Sequence, residues 1–344
     1  MTIPVLFHER QLDHRPLYEW AFGNKLAHPE TSRRADNIHA ALRADPAAFS
    51  IRPPSGLPVS IIESTHDERL ITLYKTAELR LTNDETLYPS VFPRRSQTVG
   101  DPHDLHKAGY FCFDSGTPLT GATWQAAAWS VACADEASRI VESGASRVAY
   151  GLCRPPGHHA SRDLFGGYCY FNNAGIVAKR LRSKGKVAIL DIDFHHGNGT
   201  QDLFYRDDRV LYVSIHGTPV DFYPYFSGFA EERGAGHGMG YNLNIPLPSG
   251  VDGQEYRRVL EGQALSAIAA FSPSQLIVSA GFDTFKSDPI GAFTLETADY
   301  GVLGELIGRL GIPTVVLQEG GYWVDDLGLN VVTFLRGLQA TMGR

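Results

Sequence analysis

Residues 191–200 read DIDFHHGNGT and place two carboxylates and two imidazoles within six positions. They follow KVAIL, a run with the composition of a buried strand. Ionisable groups are costly to bury there unless they are paired or hold a metal. Alternate side chains of an extended segment share a face, so Asp191, Asp193 and His195 fall on one side and His196 on the other. His196 is therefore read as structural. A catalytic zinc takes three protein ligands and keeps a position open. Asp193 and His195, joined by Asp283 of the later GFD, make such a set. Two carboxylates and a neutral imidazole balance a divalent charge and leave the ion able to polarise water or a carbonyl. The oxygen-rich set also suits a ferrous ion. Spacing alone does not choose between Asp191 and Asp193 as the ligand. Asp191, deeper in the strand, is better placed to support a histidine or hold a monovalent cation.

Two further motifs carry chemistry. In CRPPGHHASRDLFGGYCYFNNA (153–174), Pro155, Pro156 and Gly157 stiffen a turn that projects His158 and His159. One imidazole of such a pair can act as general base while its neighbour is an electrostatic partner; the pair can also be plain metal ligands. In EGGY (319–322), the glycines allow close approach of the backbone, and the Tyr322 hydroxyl can donate to an oxyanion. A lone Asp, His or Tyr at a strand end is most often a hydrogen bonder in a turn. Five such groups converging from adjacent strands are a site.

The elements that must position these groups are strands alternating with helices. RVAYGLC (147–153), KVAILDI (186–192), RVLYVSI (209–215), QLIVSA (275–280) and PTVVLQE (313–319) are near-continuous apolar runs, as in strands covered on both faces. Helices are expected over 120–143 with Thr120 as cap, 172–185 ending on Gly185, 255–271, 297–311 and 327–342. The alternation predicts an α/β chain with a parallel, doubly wound sheet in one domain spanning 1–344. Ligands of such sheets bind beyond the carboxyl ends of the strands, where these motifs fall. The segment from about 80 to 118 is different. It is rich in Pro, Gly, Asp and aromatics, without periodicity, and reads as a functional or interaction loop.

The bulk composition limits the alternatives. Net charge is -7, which argues against a nucleic-acid binder and suits cationic substrates. The four cysteines have no CxxC spacing and read as reduced residues of a cytoplasmic protein. No segment has the length of a membrane span, and the charged start MTIPVLFHERQLDHRP is unlike a signal peptide.

Taken together, RPPGHH, GGYCYFNNA, DIDFHHGNGTQD, VSIHG, GFDTFKSDP and EGGY resemble the zinc-dependent histone deacetylase family, above all its bacterial acetylpolyamine amidohydrolase branch. The resemblance spans 15–340 and implies the arginase–deacetylase fold, with an eight-stranded, mostly parallel sheet flanked by helices. It implies Asp193, His195 and Asp283 as zinc ligands, His159 as general base, His158 as its electrostatic neighbour and Tyr322 as oxyanion donor. Asp191 would support His158 and join Asp193, His195 and Ser214 around a structural potassium ion. Gly167, Tyr168 and Tyr223 would line the substrate tunnel. Asn198 stands where class I enzymes have an aspartate, so His159 should be less basic here. Some polyamine enzymes carry a glutamate near Gly116; the nearest acids here are Asp114, Asp101 and Asp104, with Asp114 the candidate for an ammonium. The implied reaction is removal of acetyl from N-acetylated alkylamines such as acetylputrescine or acetylcadaverine, with the 80–118 loop building a homodimer at the entrance. The alternatives are a class II type acetyl-lysine deacetylase, a two-manganese ureohydrolase and an inactive acetyl-amine sensor.

Overall fold

The computed structural model describes residues 2–82 and 85–342. Residues 1, 83, 84, 343 and 344, which fall within the expected domain and in part within the expected loop, lie outside the described residues. Along the chain the strands are β1 (Ile3–Leu6), β2 (Tyr18–Ala21), β3 (Asn24–Ala27), β4 (Phe49–Arg52), β5 (Thr86–Leu87) and β6 (Leu119–Thr120). They continue with β7 (Val148–Gly151), β8 (Val187–Asp191), β9 (Val210–Gly217), β10 (Asn242–Leu247), β11 (Gln275–Ala280) and β12 (Thr314–Gln318). Eight of them form one sheet in the order β10-β9-β8-β11-β12-β7-β1-β4, with every neighbouring pair parallel. The continuous apolar runs follow from burial of both faces: Ala188 and Leu190 pack into one core cluster, and Val187 and Ile189 into another on the opposite face. This order sets β8, β11, β12 and β7 side by side, and these are the strands whose carboxyl ends carry the motifs.

Three strands of the sheet have no counterpart among the five apolar runs. β1 and β4 have four residues each, and β10 interrupts its apolar residues with two asparagines and a proline. β4 and β10 are the edges, where short or proline-bearing strands are tolerated. The helices lie close to expectation, at Thr123–Glu142, Asn173–Leu181, Gly253–Phe271 with a π-helical segment at Leu260–Leu265, Thr297–Gly308 and Val324–Met342. Two ends differ. Thr120 belongs to β6 rather than capping the helix, and its N–H donates to Thr123 Oγ1. The second helix stops at Leu181, four residues before Gly185, and its start is capped by Asn172, whose side chain accepts from Gly175 N.

The 80–118 segment is irregular but anchored. β5 and β6 pair across its base, Arg95 pairs with Asp163, and the Tyr88 hydroxyl donates to Tyr18 O. Tyr18 lies in the β2–β3 hairpin, so the two excursions brace each other over the carboxyl ends of the central strands.

Behind the sheet ends lies a buried ionic layer. Glu30 Oε1 accepts from Arg34 at 2.9 Å and from Arg154 at 2.8 Å, and all three side chains are at most 2% exposed. Burial raises the Glu30 carboxyl, but the two guanidiniums outweigh it and hold it below its usual range. Arg154 also donates to Gln11 O and His14 O, tying the N-terminal segment to the loop after β7. Glu30→Gln leaves two buried cations without their shared counter-charge. A loss of about 3–5 kcal/mol in unfolding free energy is expected, read by urea denaturation; an unchanged midpoint would show the layer to be dispensable.

Candidate active site

The turn after β8 brings its carboxylates to the turn after β11. Asp193 accepts from His195 N at 2.9 Å and from Gly320 N at 2.7 Å. Asp283 accepts from Phe194 N at 2.8 Å through Oδ1, while its Oδ2 lies 3.0 Å from His195 Nδ1. The ligand atoms of Asp193, His195 and Asp283 lie within 4.8 Å of one another. Burial pushes the His195 imidazole down, but Asp193 and Asp283 outweigh it and lift it to about 10. Burial and Asp193 push the Asp283 carboxyl up to about 7, against the pull of His195. Two wholly buried carboxylates pressed together in this way are a site for a cation.

The surroundings fit a metal. A Cβ on Gly320 would come within 2.4 Å of Asp283 Oδ2 and 2.6 Å of Asp193 Oδ2, so the backbone of EGGY closes one side of the cradle. Two oxygens and an imidazole nitrogen, open toward the pocket, are a donor set for a divalent ion of the zinc or ferrous type. A second group, His158, Cys169 and Glu319, is equally close-set but already occupied. The Glu319 oxygens accept from Gly157 N, His158 N and Ser279 Oγ, His158 Nδ1 faces Asp191, and burial pushes the Cys169 thiol well up.

The paired histidines are differentiated by their partners. His158 Nδ1 lies 3.0 Å from Asp191 Oδ2; burial lowers this imidazole, but Asp191 and Asp193 outweigh it and raise it to about 10. His159 Nδ1 lies 2.7 Å from Asn198 Oδ1. An amide oxygen only accepts, so Nδ1 carries the hydrogen and Nε2 is left with its lone pair. Burial, then the charges of His158 and His195, hold the His159 imidazole well below its usual value, with Asn198 opposing weakly. The lowered value is in the direction expected with Asn198 in place of an aspartate.

Asp191 also accepts from Tyr212 Oη and Asp193 N. The β8–β9 register sets it opposite Ser214, and both are wholly buried. His216 Nε2 faces Gly228 O, which fixes the hydrogen on Nε2, so the Ser214 hydroxyl donates to Nδ1 at 2.7 Å and its oxygen lone pairs stay free. His196 is wholly buried, its ring 4.6 Å from that of His216, and it does not line the pocket.

A pocket of about 780 Å³ opens over this centre, lined by His159, His195, Tyr322, Tyr168, Gly167 and Tyr223 among others. Gly167 has φ +56°, and a Cβ there would meet His159 Cδ2 at 2.2 Å, so glycine alone brings the wall this close to the base. The Tyr322 ring lies 5.9 Å from Tyr168 and over the Arg34 guanidinium at 4.6 Å. Burial lifts the Tyr322 phenol well above its usual value against the pull of Arg34, so it stays a donor.

Asp114 does not offer the free carboxylate expected of it. Its Oδ1 accepts from Gly116 N and Thr117 N, and its Oδ2 from Gly167 N and Tyr223 Oη. It is spent in positioning the tunnel wall. Glu19 of β2 lines the same pocket beside Asp114; its Oε2 accepts from Tyr168 Oη at 2.6 Å and lies 3.2 Å from where a Cβ on Gly116 would stand, and burial raises its carboxyl against that hydrogen bond. A carboxylate from another element thus reaches the place expected for a side chain at 116. Asp101 and Asp104 do not line the pocket. Arg34 and Asp288 also escaped the sequence reading. Arg34 donates to Glu319 O and Gly321 O, and Asp288 accepts from Tyr322 N and Trp323 N, so together they fix the backbone that carries Tyr322. Asp288 lay in view in GFDTFKSDP; Glu19 and Arg34 carried no local signal.

Gly320→Ala is expected to lower the affinity for zinc at least about tenfold, the scale on which groups supporting a ligand act. Metal content after dialysis against graded zinc buffers measures it, and parent-like retention would show that this cradle does not hold the ion.

The sequence model of the histone deacetylase domain matches residues 28–338. Acetylpolyamine amidohydrolase 2 of Pseudomonas aeruginosa is 42% identical over 316 residues, covering 90% of this chain and 91% of its own. The acetylpolyamine amidohydrolase of Mycoplana ramosa is 40% identical, covering 92% and 94%. The crystal structure of acetylpolyamine aminohydrolase from Burkholderia pseudomallei superposes with a TM-score of 0.93 at 38% identity, over 99% of each chain. The eight-stranded parallel sheet is thus that of the arginase–deacetylase fold, and the chain belongs to the histone deacetylase family.

Proposed function

We propose that this enzyme hydrolyses N-acetylated alkylamines to acetate and free amine, with acetylated diamines and polyamines such as acetylputrescine and acetylcadaverine as its substrates. The relatives named acetylpolyamine amidohydrolase, similar over nine-tenths of the chain, support this substrate class. The observation that carries the chemistry is the juxtaposition of a neutral His159, a phenol donor at Tyr322 and the Asp193–His195–Asp283 cradle around one pocket.

Zinc held by Asp193, His195 and Asp283, or a ferrous ion in its place, would polarise the acetamide carbonyl and the attacking water. His159 Nε2 takes a proton from that water and later delivers it to the leaving amine nitrogen. Tyr322 Oη donates to the carbonyl oxygen as negative charge develops there. His158, held by Asp191, keeps a positive charge beside His159, which favours the neutral form of the base before reaction. Potassium is assigned to Asp191, Asp193, His195 and Ser214, with the Asp191–Ser214 register and the Ser214 lone pairs in support. Glu19 supplies negative charge for the distal ammonium, in place of Asp114.

Residues 1–344 are read as one deacetylase domain, with the 80–118 segment as pocket mouth and dimer contact. Exposed Phe22, Val91, Phe92 and Phe226 near the mouth favour coverage by a second copy. A cytoplasmic location suits four buried, unbridged cysteines, and no described helix is long and apolar enough to cross a membrane. Among the described residues the second metal-capable cluster, His158, Cys169 and Glu319, is already engaged in hydrogen bonds, which disfavours a two-manganese ureohydrolase.

The decisive experiment compares rates on acetylputrescine, acetylcadaverine, acetylspermidine and an acetyl-lysine peptide with zinc-loaded protein; a preference for the peptide would move the chain to the acetyl-lysine reading. His159→Ala is expected to lower kcat roughly 10²–10⁴-fold and Tyr322→Phe about 10²–10³-fold. Full activity in either variant would overturn the mechanism. A monomeric mass by sedimentation would remove the dimer.

A further inference from the structure

We infer that Glu319 is a positioning residue for the reaction: its carboxylate sets the angle of the His158–His159 turn relative to Tyr322 and the Asp193–Asp283 cradle. Glu319 is wholly buried at the end of β12. Its Oε2 accepts from Gly157 N at 2.6 Å and His158 N at 3.1 Å, and its Oε1 accepts from Ser279 Oγ at 3.2 Å. The side chain therefore spans from β12 to the loop after β7 and to β11. Its main chain reaches the other participants. Glu319 O accepts from Arg34, whose guanidinium lies under the Tyr322 ring; the next N–H, of Gly320, donates to Asp193 Oδ2; and Tyr322 follows two residues later. One residue thus joins the base, the oxyanion donor and the metal cradle.

The geometry requires this link. Leu152 and Arg154 bind the start of this loop to β1 and the N-terminal segment, but two prolines without N–H groups follow, so the part that carries the histidines is held next by the Gly157 and His158 N–H groups. The donors of Gly157 and His158 both converge on the one carboxylate oxygen. Without it two N–H groups are buried unpaired, and the turn that aims His159 is free to tilt.

This rests on the amide-hydrolase reading, and reach and charge separate its consequences. Glu319→Gln keeps the length; its amide oxygen can accept both N–H groups while its NH2 donates to Ser279 Oγ. Glu319→Asp keeps the charge but falls one methylene short. With an acetylated alkylamine as substrate, Glu319→Asp is expected to lower kcat about 100-fold with little change in KM, the scale of a misplaced catalytic group. Glu319→Gln is expected to stay within about tenfold of the parent. Hydrogen exchange reads the same link without substrate: the amides of Gly157 and His158 remain protected in the Gln variant and exchange faster in the Asp variant. The reverse pattern, with Asp active and Gln inactive, would overturn the proposal, as would equal activity in both. If the Asp variant does not fold, the Gln variant decides alone. Loss of more than about tenfold in kcat with melting temperature and amide protection intact would show that charge, not position, is what Glu319 supplies. An inactive parent would remove the hydrolase reading and leave the exchange result to judge the link.

Discussion

The structure is organised around carboxylates buried together at the carboxyl end of the sheet. Asp191, Asp193, Asp283 and Glu319 are each at most 1% exposed and come from three neighbouring strand ends. At the low effective dielectric of an interior, such like charges repel by several kcal/mol per close pair. Many donors are directed at them, among them the His158 and His195 rings, the Tyr212 hydroxyl, and the backbone N–H groups of Gly157, His158, Phe194 and Gly320. A charged His158 balances only part of the charge, and a divalent ion held by Asp193, Asp283 and a neutral His195 would neutralise the remainder. A metal ion there would let these carboxylates share one rim.

Much of the local sequence follows from that condition. The backbone must come close enough for its N–H groups to reach carboxylate oxygens, which excludes a side chain at Gly320 and sets EGGY against the end of β11. The same closeness brings Tyr322 to the pocket, with Asp288 accepting its N–H and Arg34 supporting its ring. The two histidines differ because one faces a carboxylate and the other an amide. His158 is held charged by Asp191, and His159 is held neutral by burial, by its charged neighbours and by an amide that cannot stabilise an imidazolium as a carboxylate would.

The pocket mouth obeys a different constraint. Its walls come from excursions that the sheet does not directly shape, the β2–β3 hairpin and the anchored 80–118 segment. Their aromatic surfaces leave few acids facing the pocket. Asp114 is saturated by four donors and fixes Tyr223 and Gly167, while Glu19 reaches in from the hairpin. The mouth thus presents Glu19 and a ring of π faces rather than an acidic funnel.

How far the sequence reading extended has a physical basis. Strand–helix alternation, the central strands and the grouping of Asp193, His195, Asp283, His158, His159 and Tyr322 were legible because each lies within a few residues of an apolar strand, and a parallel sheet brings such ends to one rim. The short strands β1, β4 and β10 were not, since four residues, or a run broken by Asn and Pro, give no periodic signal. Nor were Glu19, Arg34, Glu319 as a tether, or the saturation of Asp114. Each depends on contact between segments far apart in the chain, such as Glu19 with Tyr168 or Arg34 with Gly321, whose partners differ by 149 and 287 positions. By itself the sequence determined which groups are present and which strand ends carry them. Only the tertiary structure decided which of those groups are free to meet a substrate and which are spent holding the others in place, because that depends on which long-range donors already occupy each carboxylate.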